Sequence, residues 1–269
     1  MNLLPLIIEP AELRAQLDDP RLLIIDLCSE PSYREGHVPG AIYLPFQAML
    51  SGQPPTPGRL PSLDQLTQLF RALGLGPDRH VVVYDDEGGG WAGRMIWTLD
   101  VIGHRAYSYL NGGRRAWLAD DGEMQTTINE PTPNHDLALA IDTAPIAEIP
   151  DILAGLEQPD FAVWDARGPL EYSGEKVLAQ KGGHIPGAIN CEWTQLMDPE
   201  RQLRIRTDAE ARLAALGLTR DQRIVTHCQT HHRSGFTYLV GKSLGFDIRG
   251  YHGSWSEWGN HPDTPVETA

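Results

Sequence analysis

Apolar residues in this chain fall into short β-branched runs separated by longer amphipathic stretches. The runs at 22–27, 81–85, 106–110, 161–165 and 223–227 are five or six residues long and bounded by turn residues, which predicts buried strands. Helical spacing predicts helices over 62–73, 91–102, 207–216 and 234–244. In the last of these, Phe236, Leu239, Val240 and Leu244 share one face, and Gly245 suits the position just past the helix end. Alternation of this kind predicts an α/β fold in which a mostly parallel sheet is flanked by helices. Chemistry in such sheets sits beyond the C-terminal ends of the strands.

The pattern occurs twice. "LLIIDLCSEPSYREGHVPGAIYLPF" (22–46) is echoed by "FAVWDARGPLEYSGEKVLAQKGGHIPGAINCEW" (161–193). Each block has an apolar run ending in Asp (Asp26, Asp165), Tyr seven residues later (Tyr33, Tyr172), and then a GH(V/I)PGAI segment. The second copy carries eight extra residues between Tyr and that segment. Further on, "VVVYDDEGGGWAGR" (81–94) aligns with "IVTHCQTHHRSGFT" (224–237), and "YLNGGRRAWLADDG" (109–122) with "GYHGSWSEWGN" (250–260). Three blocks in one order, about 140 residues apart, predict a tandem duplication of one domain rather than a solenoid. The expected domains are 1–130 and 146–269, joined by a proline-rich linker at 131–145. A second proline-rich stretch, 51–62, reads as a loop within the first half.

Charge and composition narrow the function. A chain of 269 residues with a net charge of −14 is a poor general binder of nucleic acid or of anionic membranes. No apolar stretch approaches the ~18 residues of a membrane span, and the N-terminal apolar run lacks a basic region ahead of it. The three cysteines, Cys28, Cys191 and Cys228, are odd in number and far apart. That argues against a disulfide framework and for a reducing cytoplasm.

Cys228 is the one cysteine placed for chemistry, at the end of a strand and just before a helix. A six-residue loop from Cys228 to Arg233 can turn several backbone N–H groups inward. With the helix end and Arg233, they would favour a thiolate, the nucleophilic form. Cys28 and Cys191 read as ordinary buried thiols. At the aligned position the first copy has Asp85, which cannot play a thiolate's part, so an inward ring of N–H groups has no reason to be there for catalysis. A metal site at His227, Cys228, His231 and His232 is disfavoured, because consecutive strand residues face opposite ways and the adjacent histidines lack zinc spacing. A cysteine-dependent phosphatase would have five residues between Cys and Arg, whereas four stand here. The smaller ring fits a single sulfur atom better than a phosphoryl group.

The tandem GH(V/I)PGAI blocks, Asp165-Ala166-Arg167, the strand–loop–helix at Cys228 and "GSWSEW" (253–258) together resemble the two-domain rhodanese family, the thiosulfate/mercaptopyruvate sulfurtransferases. The resemblance covers nearly the whole chain. It implies two rhodanese-like α/β domains, of which only the second is catalytic. It also implies transfer of sulfane sulfur through a Cys228 persulfide to cyanide or a thiol. Gln229, Thr230, His231, His232, Arg233 and Ser234 would hold the persulfide, with no metal or organic cofactor. The partners implied are a small-molecule donor and acceptor or a thiol protein, with a monomer favoured. The remaining readings are the phosphatase, or a persulfide carrier serving a protein partner.

Two features depart from the family pattern. The loop "CQTHHRSG" matches neither the thiosulfate type "CRKGVT" nor the mercaptopyruvate type "CGSGVT", although thiosulfate is the favoured donor. Thr230 stands where the thiosulfate type has Lys, and Glu171 where it has Arg just before the tyrosine. A carboxylate there could repel a dianionic donor, leaving Arg233 as the main cation. Trp193 is a candidate for the pocket wall, and Asp165 with Arg167 for support of the loop. His37 and His184 recur in both copies, which assigns them to structure.

Overall fold

A computed structural model of the chain describes residues 3–268. Its contacts divide the chain into two compact units. The first comprises 1–49, 61–142 and 198–205, and the second 50–60, 143–197 and 206–269. The main boundary falls at Asp142/Thr143, and two short segments are exchanged between the sequence halves. The proline-rich stretch at 50–60 therefore belongs to the second unit although it lies in the first half.

In the first unit the strands are β1 (Ile7–Ile8), β2 (Leu22–Asp26), β3 (Ile42–Tyr43), β4 (His80–Tyr84) and β5 (Tyr107–Leu110). They form one parallel sheet in the order β1-β5-β4-β2-β3. Its helices are α1 (Pro10–Arg14), α2 (Glu30–Glu35), α3 (Leu63–Ala72), α4 (Gly90–Val101) and α5 (Gly113–Ala119). Every residue of β4 is buried, as a central parallel strand covered on both faces requires. Ser62 caps α3 by accepting from the Gln65 N–H, while the Gln65 side chain returns to the Ser62 N–H. Such a reciprocal cap is worth roughly 1 kcal/mol and starts the helix one residue after the expected position.

The second unit holds α6 (Ile149–Gly155), β6 (Phe161–Asp165), α7 (Pro169–Ser173) and β7 (Ile189–Asn190). A short pair, β8 (Met197–Asp198) and β9 (Arg204–Ile205), precedes α8 (Ala209–Leu216). Then follow β10 (Arg223–His227), α9 (Arg233–Ser243), β11 (Asp247–Gly250) and α10 (Ser254–Trp258). The main sheet runs β11-β10-β6-β7, all parallel. The pairing puts His227 beside Asp165, so both strands deliver their last residues to the same edge. Helix α9 differs from its expected one-faced pattern: residues 234–241 are all buried. It is enclosed on several sides by β10, β11 and the turn at Trp193–Leu196, so small and hydroxyl residues fill positions an exposed helix would give to charges. Gly245 takes φ +77° just past the helix, the left-handed conformation expected there.

The repeated motif has one structural explanation in both units. Tyr33 stacks on His37 at 3.8 Å, and Tyr172 on His184 at 3.7 Å, with rings within 9° of parallel. In each pair the His Nδ1 bonds the tyrosine's own carbonyl, at 2.8 and 2.9 Å. Each tyrosine hydroxyl donates to the alanine carbonyl of PGAI, Ala41 or Ala188. Tyrosine, histidine and the PGAI turn are therefore one locked unit that enters β3 or β7.

Candidate active site

Cys228 follows directly on β10, and α9 opens at Arg233. The loop between them is turned inside out relative to a strand. Its carbonyls are claimed from outside by α10: the Trp255 N–H donates to the Cys228 carbonyl at 2.9 Å, and the Ser256 N–H to the Gln229 carbonyl at 3.0 Å. The Ser254 hydroxyl accepts from the Cys228 N–H at 3.3 Å. With those acceptors occupied outward, the N–H groups of Thr230 and Ser234 reach the Cys228 sulfur.

Three buried cysteines provide an internal comparison. Burial pushes the Cys191 thiol up to about 11. Burial, reinforced by the Asp26 carboxylate, pushes Cys28 up much further. Burial also opposes ionisation of Cys228. There it is outweighed by the Arg233 charge, then by the Ser234 hydroxyl and the Ser234 and Thr230 N–H groups, and the thiol falls below its ordinary value. Of the three, Cys228 is the one whose surroundings favour the thiolate.

The two histidines have separate places. His231 is fully buried and sits at φ +59°, a left-handed conformation costing a non-glycine residue about 1 kcal/mol or more. Its Nδ1 lies 2.7 Å from the Ser234 hydroxyl, which in turn donates to the Cys228 sulfur at 3.4 Å. Since that hydroxyl gives its proton to sulfur, it accepts one from Nδ1, and the strained turn builds a His231–Ser234–Cys228 chain. His232 is half-buried and meets the edge of Trp193 at 5.4 Å between ring centres. Trp193 also touches Phe236 of α9, so it stands against the loop rather than in the core.

Glu171 projects from α7 to Arg233. The guanidinium Nη1 and Nη2 donate to its two oxygens at 2.6 and 2.8 Å, a fork-to-fork pair. Burial acts to raise the Glu171 carboxyl, but Arg233 holds it below the usual range. The carboxylate expected to repel a donor is thus bonded to the loop's own cation. Asp165 and Arg167 form a separate buried pair, with Arg167 Nη2 donating to Asp165 at 2.6 Å and to the Gly183 carbonyl at 2.8 Å. Arg167 also lies 4.2 Å above the Trp255 ring. This pair ties the end of β6 to α10 and to the GHIPGAI turn. Gln229 points outward, donating to the Leu178 carbonyl in the eight-residue insertion.

The first unit adds a feature for which catalysis gives no reason. An inward ring of N–H groups is present there. The Asp85 carboxylate accepts from Glu87, Gly88 and Gly89 on one oxygen and from Ala92 on the other, at 2.8–3.2 Å. The glycine-rich loop wraps an anion of its own in place of a sulfur. Two other features were missed. The α10 donors carry no signature in sequence beyond two serines, and the 50–60 segment gives no sign of packing with residues 170 positions away.

Comparison with known proteins agrees in extent with this architecture. The Rhodanese-like domain family matches residues 9–120 and again 149–261. The chain is 57% identical over 265 residues to the thiosulfate sulfurtransferase of Azotobacter vinelandii, covering 98% of this chain and 97% of that one. It is 55% identical over 269 residues to the thiosulfate sulfurtransferase of Pseudomonas aeruginosa, with the same coverage. Among solved structures, that of YnjE superposes with a TM-score of 0.86 at 19% identity, over 98% of this chain and 68% of that one, a likeness of fold.

Proposed function

The chain belongs to the rhodanese family and carries two of its domains, and from that premise we propose that it transfers sulfane sulfur from thiosulfate through a persulfide on Cys228. The Cys228 thiolate attacks the outer sulfur of thiosulfate. The S–S bond of the donor breaks, sulfite departs with the electron pair, and a cysteine persulfide remains. Cyanide or a thiol then attacks the outer sulfur and releases the thiolate unchanged. The sulfur therefore moves without net oxidation and without an organic cofactor or metal.

The observation that carries this reading is the ring of donors around Cys228, whose thiol is lowered while those of the buried Cys28 and Cys191 are raised. Arg233 and the N–H groups of Thr230 and Ser234 neutralise the thiolate and, after transfer, the persulfide anion. Ser234, oriented by His231, supplies a hydroxyl donor. Glu171 fixes the Arg233 fork. His232 and Trp193 form one wall, Gln229 the outer rim, and Asp165 with Arg167 the support. We read 1–130 and 146–269 as the two copies, joined through 131–145. We place the enzyme in the cytoplasm on its three unpaired cysteines. It acts there as a monomer, with a small thiol or a thiol protein as acceptor.

Mass spectrometry of the intact chain tests the reading. Mixing with thiosulfate adds one sulfur atom, and cyanide removes it again. The Cys228→Ala variant gains nothing; if it takes up sulfur equally, the nucleophile is elsewhere.

A further inference from the structure

The segment at 50–60 lies against the outer side of the Cys228 loop. Gly58 is buried there. A Cβ built on it would stand 2.7 Å from the Thr230 carbonyl carbon, 2.9 Å from the Thr230 Cα, and closer still to the carbonyl oxygen. No side chain fits that gap. The neighbouring residues anchor the segment: Arg59 pairs with both Glu257 and Glu148, and the Leu60 N–H donates to His252 Nδ1 at 2.9 Å. His252 is held from its other nitrogen by Glu148 at 3.0 Å, and Glu257 accepts from the Tyr251 hydroxyl at 2.8 Å. The Ser51 N–H donates to the Arg59 carbonyl at 2.8 Å and closes the segment into a strap.

Thr230 is the residue whose N–H reaches the Cys228 sulfur, and the next residue, His231, is in the left-handed conformation. Gly58 abuts both the carbonyl and the Cα of Thr230, so it fixes the planar peptide that leads into His231 and the position of the residue that carries the donor N–H. We propose that Gly58 is a positioning residue for sulfur transfer: the strap clamps the carbonyl and Cα of Thr230 and so holds the strained Thr230–His231 turn in the orientation that keeps the Thr230 N–H on Cys228. The proposal rests on Cys228 being the nucleophile. It assigns a part in the reaction to a segment from the half of the sequence that lacks the cysteine.

The test is the pH dependence of Cys228 alkylation by iodoacetamide, read by intact mass, together with thiosulfate–cyanide turnover. Gly58→Ala is expected to move the alkylation inflection upward by about one pH unit. It should also lower kcat/KM about tenfold, since small misplacements in a site carry penalties of that order or larger. Gln53→Ala, at an exposed strap position, is expected to keep the unaltered inflection. A wild-type inflection and turnover in Gly58→Ala overturns the proposal, as does an equal shift in Gln53→Ala. Should Gly58→Ala fail to fold, Arg59→Gln decides: loosening the strap moves the inflection the same way, and no movement overturns the clamp. Alkylation needs no sulfur donor. A wild-type chain that alkylates at low pH yet takes no sulfur from thiosulfate would sink the functional reading and leave the clamp standing.

Discussion

Ser234 does at Cys228 what no backbone group can, because its hydroxyl accepts a hydrogen bond from His231 on one side and donates one to sulfur on the other. Removing it leaves the His231 Nδ1 and the thiolate each short of a partner in a buried site, an effect of about 1–3 kcal/mol. Ser234→Ala is therefore expected to raise the alkylation inflection of Cys228 and lower thiosulfate turnover at neutral pH by about tenfold or more. Stopped-flow kinetics of persulfide formation against pH would measure it, and an unmoved profile would reduce the chain to packing. Arg233 poses a different question, since its charge and its shape both matter. Arg233→Lys keeps the charge but loses the fork onto Glu171, so turnover is expected to fall while Cys228 stays partly activated. Equal turnover in the lysine variant would show that charge alone suffices. Cys228 and Arg233 were legible in the sequence because strand, loop and helix length place them. His231 was not, since nothing in "THHR" shows that one histidine adopts a positive φ and turns inward while the next meets Trp193.

Among elements, the sequence marks what repeats and hides what is solitary. The Tyr–His stack is legible as a repeat because tyrosine, histidine and PGAI recur together, whether or not a cysteine follows. Its expected role is stability: His184→Ala removes a ring stacked at 3.7 Å and the bond to the Tyr172 carbonyl. The combined loss is roughly 1–3 kcal/mol, measurable by urea unfolding. Alkylation of Cys228 in the folded variant should keep its inflection, and a shift would mean the stack reaches the loop. Helix α9 was placed within a residue at either end. Its burial was underestimated, because a helical period locates one apolar face and says little about neighbours on the other sides. The α10 donors and the 50–60 strap were not legible. Their contribution is backbone geometry supplied by sequence-distant segments, and proline-rich loops look alike whether they pack or not.

Across the molecule, the two loops after β4 and β10 hold negative groups in the same manner but from different sources. Burial raises the Asp85 carboxyl first, the Glu87 charge adds to it, and the N–H bonds of Ala92, Gly89 and Glu87 oppose them, leaving it at about 6 against an ordinary 3.8. A carboxyl raised on folding contributes stability that is complete below its unfolded value and lost as pH rises through its folded one. The first unit is thus expected to gain up to about 3 kcal/mol from this group between neutral pH and about pH 4. Asp85→Asn should flatten that slope in urea melts taken across the range. The second unit has no such permanent guest. On the proposed mechanism its ring of donors is satisfied by a thiolate at rest and by the outer sulfur of the persulfide after transfer. Ligation that favours the folded state raises its melting temperature, so thiosulfate should raise the second unit's transition and leave the first unit's where it was. Asp85 is, in effect, a cargo that was welded in, and a carrier with a welded cargo makes no deliveries. On the proposed mechanism, what separates the copy that carries sulfur from the other is less the cradle than the freedom of its contents to leave.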